Sequence, residues 1–515
     1  MAYRGEQVIN GNIYVYEAEA IWNPEKKRSE QKRVYIGTKN ENGEFIPNKK
    51  YHELYGYDTN DKHPAIVIKV LDYGVTFLFE RICEGIGLTG VLQECFPDKW
   101  QEILACAWHS ISENEAMYLC EQWAETTHIP DGEGLKLSSQ RLSELIKSFD
   151  ENSRMNFYRK WAALRTEKEY LALDITSISS YSEMIQYVEY GYNRDKENLP
   201  QINMGLIFGE KSRLPVYSRV YPGSIKDVST LRGMSELLKE LNLNSMRYVM
   251  DKGFYKEQTI KHLLNEKIRF AISVPFTTSL ASDAVLEYGD NITNPANAIE
   301  VNRYLYYALT IIRIINRHRV YIHIYYDPEH RAAEQTSFMH KILKMESDFI
   351  DNKISENDRS FRKYFTLRKT KTGFNIHRNE VAIKKHLVNS GYLVIMTNDS
   401  KDSQYVLQLY RTKDCVEKAF ENIKNDLDMK RLRIHSDEAM QGRVFITFIA
   451  LIISSYVRYI MKEADLYKKF TFSALIKELK KLKIIRLSNK KNLLTELTHS
   501  QKIIFKAFGS MPSVL

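Results

Sequence analysis

Cysteine is scarce in this chain. The five present, Cys83, Cys95, Cys106, Cys120 and Cys415, are an odd number in 515 residues and form no C-x-x-C pair. That argues against a disulfide framework and against a structural zinc site, and it fits a reducing, intracellular setting. The opening stretch, MAYRGEQVINGN, lacks the apolar core of a signal peptide, so secretion is not expected. Long hydrophobic runs are missing too. The longest, Phe445 to Val457, is too short to span a bilayer and is flanked by Arg443 and Arg458, so a buried core helix and no membrane partner are expected. Acids are in the minority: 74 Lys and Arg stand against 65 Asp and Glu, a formal charge of +9. The balance favours a nucleic-acid partner without requiring one. Core-forming material is ample, with 43% hydrophobic residues in a chain long enough for about three or four structural units.

The N-terminal residues alternate as strands do at Asn12 to Ile21 and Lys32 to Gly37, with a turn at Asn42-Gly43. Lys26, Lys27, Arg28, Lys32 and Arg33 cluster there, either as a DNA-contacting arm or as a solvated turn. From Thr76 to Trp161 the apolar spacing is helical, and His109 reads as a helix-surface or core histidine rather than a ligand. The pattern then changes. YLALDI, Tyr170 to Ile175, is a short apolar run with Asp174 where a buried strand would end. A charge in such a run is costly unless compensated, although an aspartate there can also simply cap a turn. Strands follow at Gln201 to Phe208 and Leu214 to Tyr221, Pro222-Gly223 turns the chain, and a helix is expected over Asp227 to Leu241. Arg247 to Met250 is a further strand, ending on Asp251; a helix and a fifth strand, Phe270 to Val274, come next.

Three strands, a helix, a strand, a helix and a fifth strand is the plan of the ribonuclease-H-like core, in which the first and fourth strands are neighbours. Asp174 and Asp251 would then converge at one edge of the sheet. Two carboxylates so placed repel unless one is protonated or a cation neutralises them, and magnesium, which takes oxygen ligands and keeps waters, suits an open cleft of this kind. Between the fifth strand and the last helices, YLYYALTIIRI and RVYIHIYYD read as strands, Pro328 to Asp351 contains a helix, and KYFTLRKTKTGFNIHRN reads as a basic hairpin. Arg362, Lys363, Arg368, Lys369 and Lys371, interleaved with Tyr364 and Phe365, could hold a DNA end or form a solvated scaffold.

YRTKDCVEKAFENIKNDL, Tyr410 to Leu427, reads as one amphipathic helix. Tyr410, Lys413, Glu417 and Lys424 share one narrow edge, beside an apolar face of Val416, Ala419, Phe420, Ile423 and Leu427. Alone this would be an ordinary surface helix with charge pairs. With Asp174 and Asp251 it supplies a third acid, Glu417.

LALDITSISSYSE, YGYNRDKENLPQINMGLIF, PVYSRVYPGSIKDVSTL, YVMDKGF, GYLVIMTN and YRTKDCVEKAFENIKNDL with LRIHSDEAMQGRVFITFIAL resemble a DDE transposase of a bacterial insertion sequence, in the insertion-sequence-4 superfamily. That family's last helix carries Y-x-x-R-x-x-x-E-x(6)-K; Tyr410, Glu417 and Lys424 match, and Lys413 stands where arginine belongs, which removes the bidentate fork to a phosphate. The resemblance implies an α/β fold: a ribonuclease-H-like catalytic core (166–276 and 401–465) interrupted by a β-rich insertion domain (277–400), after an N-terminal β plus helical, DNA-binding region (1–165) and before a helical tail (466–515). It implies catalysis by Asp174, Asp251 and Glu417 holding two Mg²⁺ ions, with Mn²⁺ able to substitute, and DNA contacts from Tyr410, Arg411, Lys413 and Lys424. Double-stranded DNA as element ends and target, a homodimer on paired ends and a cytoplasmic, nucleoid-associated bacterial location are implied as well. Two alternatives stay open: an inactive, DNA-holding relative, and a ribonuclease-H-like nuclease that cuts without joining.

Overall fold

The computed structural model describes residues 3–513 apart from 10, 24–25, 41, 56–66, 133, 165–169, 194, 196, 210, 226–240, 242–246, 371–372 and 489–491. It divides into two compact units: Met1–Lys69 with Arg486–Lys491, and Val70–Ile485 with Asn492–Leu515.

In the first unit, β1 (Tyr3–Ile9), β2 (Asn12–Asn23), β3 (Arg28–Lys39) and β4 (Phe45–Pro47) form an antiparallel meander in that order, followed by a helix, Lys49–Tyr55. The β2–β3 ladder outruns both expected strands and closes at Asn23↔Arg28, because pairing continues through polar residues once a partner strand is present. β5 (Val67–Asp72) spans the boundary between the units along the chain.

The second unit begins with six helices between Gly74 and Leu164, as the spacing predicts, and buries the helix Asp437–Glu463. That helix contains Phe445 to Val457 and is the one helix among the described residues long and apolar enough to cross a membrane, yet 72% of its apolar window is buried inside the protein. Its packing is aromatic: the Phe445 ring lies 5.5 Å from Phe96, 5.3 Å from Phe149 and 5.2 Å from Phe157, centroid to centroid. Gly442 lets it approach the helix Ser139–Lys147, since a Cβ there would stand 2.0 Å from the Ile146 carbonyl oxygen.

His109 is a core residue, edge-on to Trp123 at 5.6 Å. Burial pulls its pKa down to about 4, well under the roughly 6.5 of an exposed imidazole. The unfolded chain therefore takes up a proton there before the folded one does. Stability is full above pH ~6.5 and falls as the pH drops towards 4, by up to about 3 kcal/mol. Denaturant titrations across that range are expected to show a shallower acid loss for His109→Leu than for the unaltered protein.

The core of this unit is one mixed sheet. Its strands are β6 (Tyr170–Ser180), β7 (Gln201–Gly209), β8 (Pro215–Pro222), β9 (Arg247–Met250), β10 (Arg269–Ser273), β11 (Ala298–Val301), β12 (Tyr304–Ile315) and β13 (His318–Tyr326). After the separate hairpin β14 (Phe365–Thr370) and β15 (Gly373–Arg378), it is completed by β16 (Tyr392–Thr397) and β17 (Arg431–Leu432). The spatial order is β11-β12-β13-β16-β10-β9-β6-β7-β8, with β17 also on β6. The first and fourth strands of the expected core, β6 and β9, are parallel neighbours.

Several expectations need correction. Asp174 does not end its strand: β6 continues to Ser180, because Thr176 to Ser179 pair with Met204 to Gln201 on β7 and those hydroxyl residues fit a buried ladder when bonded. Apart from the hairpin β14–β15, the strands between 277 and 400 do not make a sheet of their own; β16 joins the edge of β10 through Ala271↔Thr397, and β13, β12 and β11 follow. Only the helix Pro328–Ile350, the hairpin and their neighbours form a satellite core, around Phe338, Ile342 and Phe361. Tyr364 and Phe365 are buried in it and are not offered to a ligand. The helix expected over 227–241 lies, apart from Leu241, outside the described residues, as does the Lys371 side chain.

Candidate active site

Register brings the two aspartates together. The parallel β6–β9 ladder ends at Leu173↔Met250, so Asp174 is the next residue on β6 and Asp251 the first residue after β9. Adjacent strands lie about 4.8 Å apart. β17 rejoins the same side of β6 only at Ser179 and Ser180, which leaves that side of Asp174 to Ile178 without a strand beside it. A cleft opens there, ≈ 510 Å³ in volume, lined by Asp174, Thr176, Asp195, Glu197, Glu417 and Lys424 among others. Asp174 is 2% exposed and accepts the Ile175 N–H at 2.8 Å.

Glu417 and its neighbours do not lie on one helix. A helix Ser403–Arg411 ends and a second, Asp414–Asp426, begins, with Thr412 and Lys413 between them. The chain tightens there: Thr412 N–H and Lys413 N–H bond the carbonyls of Leu409 and Tyr410, and the Thr412 hydroxyl takes the Leu409 carbonyl at 2.6 Å. Three-residue bonding and a threonine that competes for the backbone break the periodicity assumed for the stripe.

The break changes what each stripe residue meets. Tyr410 donates its hydroxyl to Asp251 Oδ1 at 3.1 Å. Lys413, buried at the break, puts Nζ 2.6 Å from Glu417 Oε1 and 3.5 Å from Asp251 Oδ1. Its ammonium thus ties the third acid to the second. Burial pushes the Asp251 carboxyl up, but the Lys413 charge, the Lys252 backbone N–H and the Tyr410 hydroxyl together hold it below its ordinary value. Burial likewise pulls Lys413 down, and Asp251, Glu417 and Asp174 more than restore it. Burial first, then the Asp251 charge, keeps the Tyr410 phenol protonated.

Lys424 is drawn elsewhere, to Asp195 Oδ2 at 2.6 Å. Arg431 grips both oxygens of Glu197 at 2.7 Å, and Ser179 donates to the same carboxylate at 2.6 Å. Asp195 and Glu197 are thus cleft residues that sequence reasoning missed; the signal was the charged run NRDKEN just before β7. Arg411 is not in the acid cleft. It lies over the Tyr306 ring at 5.7 Å and lines a separate cavity of ≈ 1200 Å³. It does not replace the arginine that the family motif has in place of Lys413.

Among the described residues, no three His, Cys, Asp or Glu side chains are gathered closely enough to hold a metal ion. The donor set nevertheless suits one: hard carboxylate oxygens beside an open cleft. The Lys413 ammonium lies between Asp251 and Glu417, a cation paired with both.

The fold is that of a mixed α/β protein in which an aspartate follows the last ladder pair of two parallel strands, Asp174 on β6 and Asp251 just after β9. The profile of the transposase DDE domain family matches residues 165–453, more than half of the chain. The chain belongs to that family. A piggyBac transposase in a synaptic complex with hairpin DNA, solved by cryo-EM, aligns at a TM-score of 0.33 and 9% identity, over 83% of this chain and 70% of that one. No curated protein matches the sequence.

Proposed function

We propose that this chain is a DNA transposase whose ribonuclease-H-like core uses Asp174, Asp251 and Glu417 to cleave the ends of its element and join the 3′-hydroxyl ends to target DNA. The observation that carries this reading is the register of β6 and β9, which sets Asp174 beside Asp251, with Lys413 linking Asp251 to Glu417. The sequence motifs favour a bacterial element of the insertion-sequence-4 kind, acting in the cytoplasm as a dimer on paired ends.

The three acids would hold two Mg²⁺ or Mn²⁺ ions, and such ions, when bound, activate the attacking oxygen and stabilise the leaving one. The chain's own residues do the rest. Tyr410 fixes the Asp251 carboxylate by its hydrogen bond. Lys413 supplies the countercharge that helps hold the Asp251 carboxyl below its ordinary value, then swings to a phosphate oxygen as a point charge. Lys424 can do the same once it leaves Asp195.

This assignment makes Lys413 a competitor of the metal. Lys413→Met is expected to lower stability in EDTA by about 2 kcal/mol, since it strands carboxylates that are only partly solvated. The same variant should bind Mn²⁺ more tightly, as read by calorimetry. An unchanged Mn²⁺ affinity would show that the ammonium does not occupy the cation's place.

The reading itself is tested by incubating purified protein with a plasmid carrying the DNA that flanks its gene, in Mg²⁺ or in EDTA. Metal-dependent nicking at the ends with joined products is expected. Nicking without joining would mean a nuclease, and binding without nicking an inactive relative.

A further inference from the structure

The helix that carries Glu417 and Lys424, Asp414–Asp426, is held differently at its two ends. The last carbonyls of any helix lack partners within it. Here the Met429 N–H takes the Ile423 carbonyl at 3.2 Å, and the Asn425 carbonyl accepts from outside the helix, from Asn114 Nδ2 at 2.9 Å. Asn114 Oδ1 in turn accepts the Asp428 N–H at 3.2 Å. One amide thus caps the helix and holds the residue that leads the chain away from it. Asn114 lies 311 residues earlier in the chain, at the end of the helix Trp100–Glu113 in the N-terminal helical layer.

The Asn114 backbone suits this task. Its φ of 54° is left-handed, a conformation that asparagine tolerates and most side chains do not. Two further ties reach the same helix end from the helix Asp437–Glu463: Arg458 meets Asp426 Oδ2 at 2.5 Å, and Arg443 Nη2 stands 3.5 Å from the Leu427 carbonyl. The other end begins at the break after Thr412. Its tie, Lys413 to Asp251 and Glu417, is the one that the proposed function releases when Lys413 turns to a phosphate. Between the ends, Val416, Ala419, Phe420 and Ile423 are buried. Apolar packing is non-directional, whereas a hydrogen bond tolerates only a narrow range of lengths and angles. Position along the helix axis is therefore set by the C-terminal ties.

We infer that Asn114 is a positioning residue for the acid site, holding this helix at the axial position that presents Glu417 to Asp174 and Asp251. The inference rests on the proposal that these acids cleave DNA. Eight residues separate Glu417 from Asn425. That is about 12 Å of helix at about 1.5 Å per residue, and a helix passes a shift at one end on to the other. Misplacing a reacting group by about 1 Å can cost about a hundredfold in rate. The Asn114 amide bonds the helix end and not the acids, so it acts through the helix alone. Both residues of the Asn114–Asn425 bond are exposed, so losing it costs little stability, and its effect on the site can be read apart from folding.

The test uses the full chain, with single-turnover nicking of the flanking-DNA plasmid at saturating protein and, in EDTA, fluorescence anisotropy on the same ends. Asn114→Gly suits the left-handed backbone and removes the amide, while Asn114→Asp keeps an acceptor for the Asp428 N–H but cannot donate to Asn425. Both are expected to nick about tenfold more slowly, to bind the ends within about twofold of the unaltered protein, and to melt within about 3 °C of it. Glu113→Ala breaks the pair with Lys480, 2.6 Å long, at the same helix end and is expected to leave the rate within about twofold. Nicking by Asn114→Gly at the unaltered rate would overturn the inference. So would a loss carried by weaker DNA binding, which makes Asn114 a DNA contact, or one that Glu113→Ala reproduces, which makes it a structural cap. An unaltered protein that does not nick its ends removes the transposase reading, and this inference with it.

Discussion

Asp174→Ala and Asp251→Ala are each expected to reduce end cleavage by about a thousandfold or more, the several kcal/mol of charge stabilisation that a metal-holding acid contributes to phosphodiester chemistry. Glu417→Ala is expected to do the same with the least structural consequence, because its side chain is 53% exposed. Folding separates a chemical role from a structural one. Asp174 is buried and faces the Lys413 charge, so a thermal melt of the alanine variant in EDTA reads its structural contribution apart from its chemical one. Single-turnover nicking assays beside thermal melts give both quantities. Cleavage that survives Glu417→Ala would assign the third acid elsewhere, with Glu421 and Glu197 the other glutamates on the cleft.

Phe445→Ala should be the most damaging change away from the cleft. Phe445 is fully buried, meets the rings of Phe96, Phe149 and Phe157, and sits on the helix that the preceding helical layer wraps. Truncation there removes a large buried apolar surface and leaves a cavity that the three rings around it cannot fill, costing about 3–5 kcal/mol. Urea denaturation should show a lowered midpoint with an unchanged slope. Tyr467→Ala, 47% exposed, should stay within about 0.5 kcal/mol. A loss under about 1 kcal/mol for Phe445→Ala would mean that the layer repacks around the gap.

Much of the fold was legible because its signals are local. Apolar runs ending in aspartate marked β6 and β9, and the order of strands and helices was enough to place them side by side. The Asp437–Glu463 helix was visible as an apolar run with charged flanks. Other features were hidden because they depend on partners far along the chain. Thr176 to Ser180 look like a polar loop until β7 supplies a ladder and Asn193, Asn203 and Glu197 satisfy the hydroxyls. β1, YRGEQVI, has too few apolar residues to announce itself and exists because β2 does. Tyr410 to Leu427 kept a helical period through Thr412, where one side-chain hydrogen bond is enough to break the helix.

The two strand-end aspartates stood out in the sequence, while Asp195, Glu197 and the partners of the lysines did not. Carboxylates inside apolar runs are conspicuous, because their burial needs a reason. Lysines are common on any helix, and nothing in the spacing distinguishes Lys413, which meets two of the acids, from Lys424, which meets Asp195.

β13 ends at Tyr326 and β16 begins at Tyr392, and these two residues are register partners. Everything between them, helix, hairpin and satellite core, leaves the sheet and returns to it at one point, as a hairpin loop does. Loop closure becomes only slowly more expensive with length. This lobe is therefore where the chain can gain, lose or exchange whole modules at least cost to the two aspartates, which stand beyond β16 and β10, at β9 and β6.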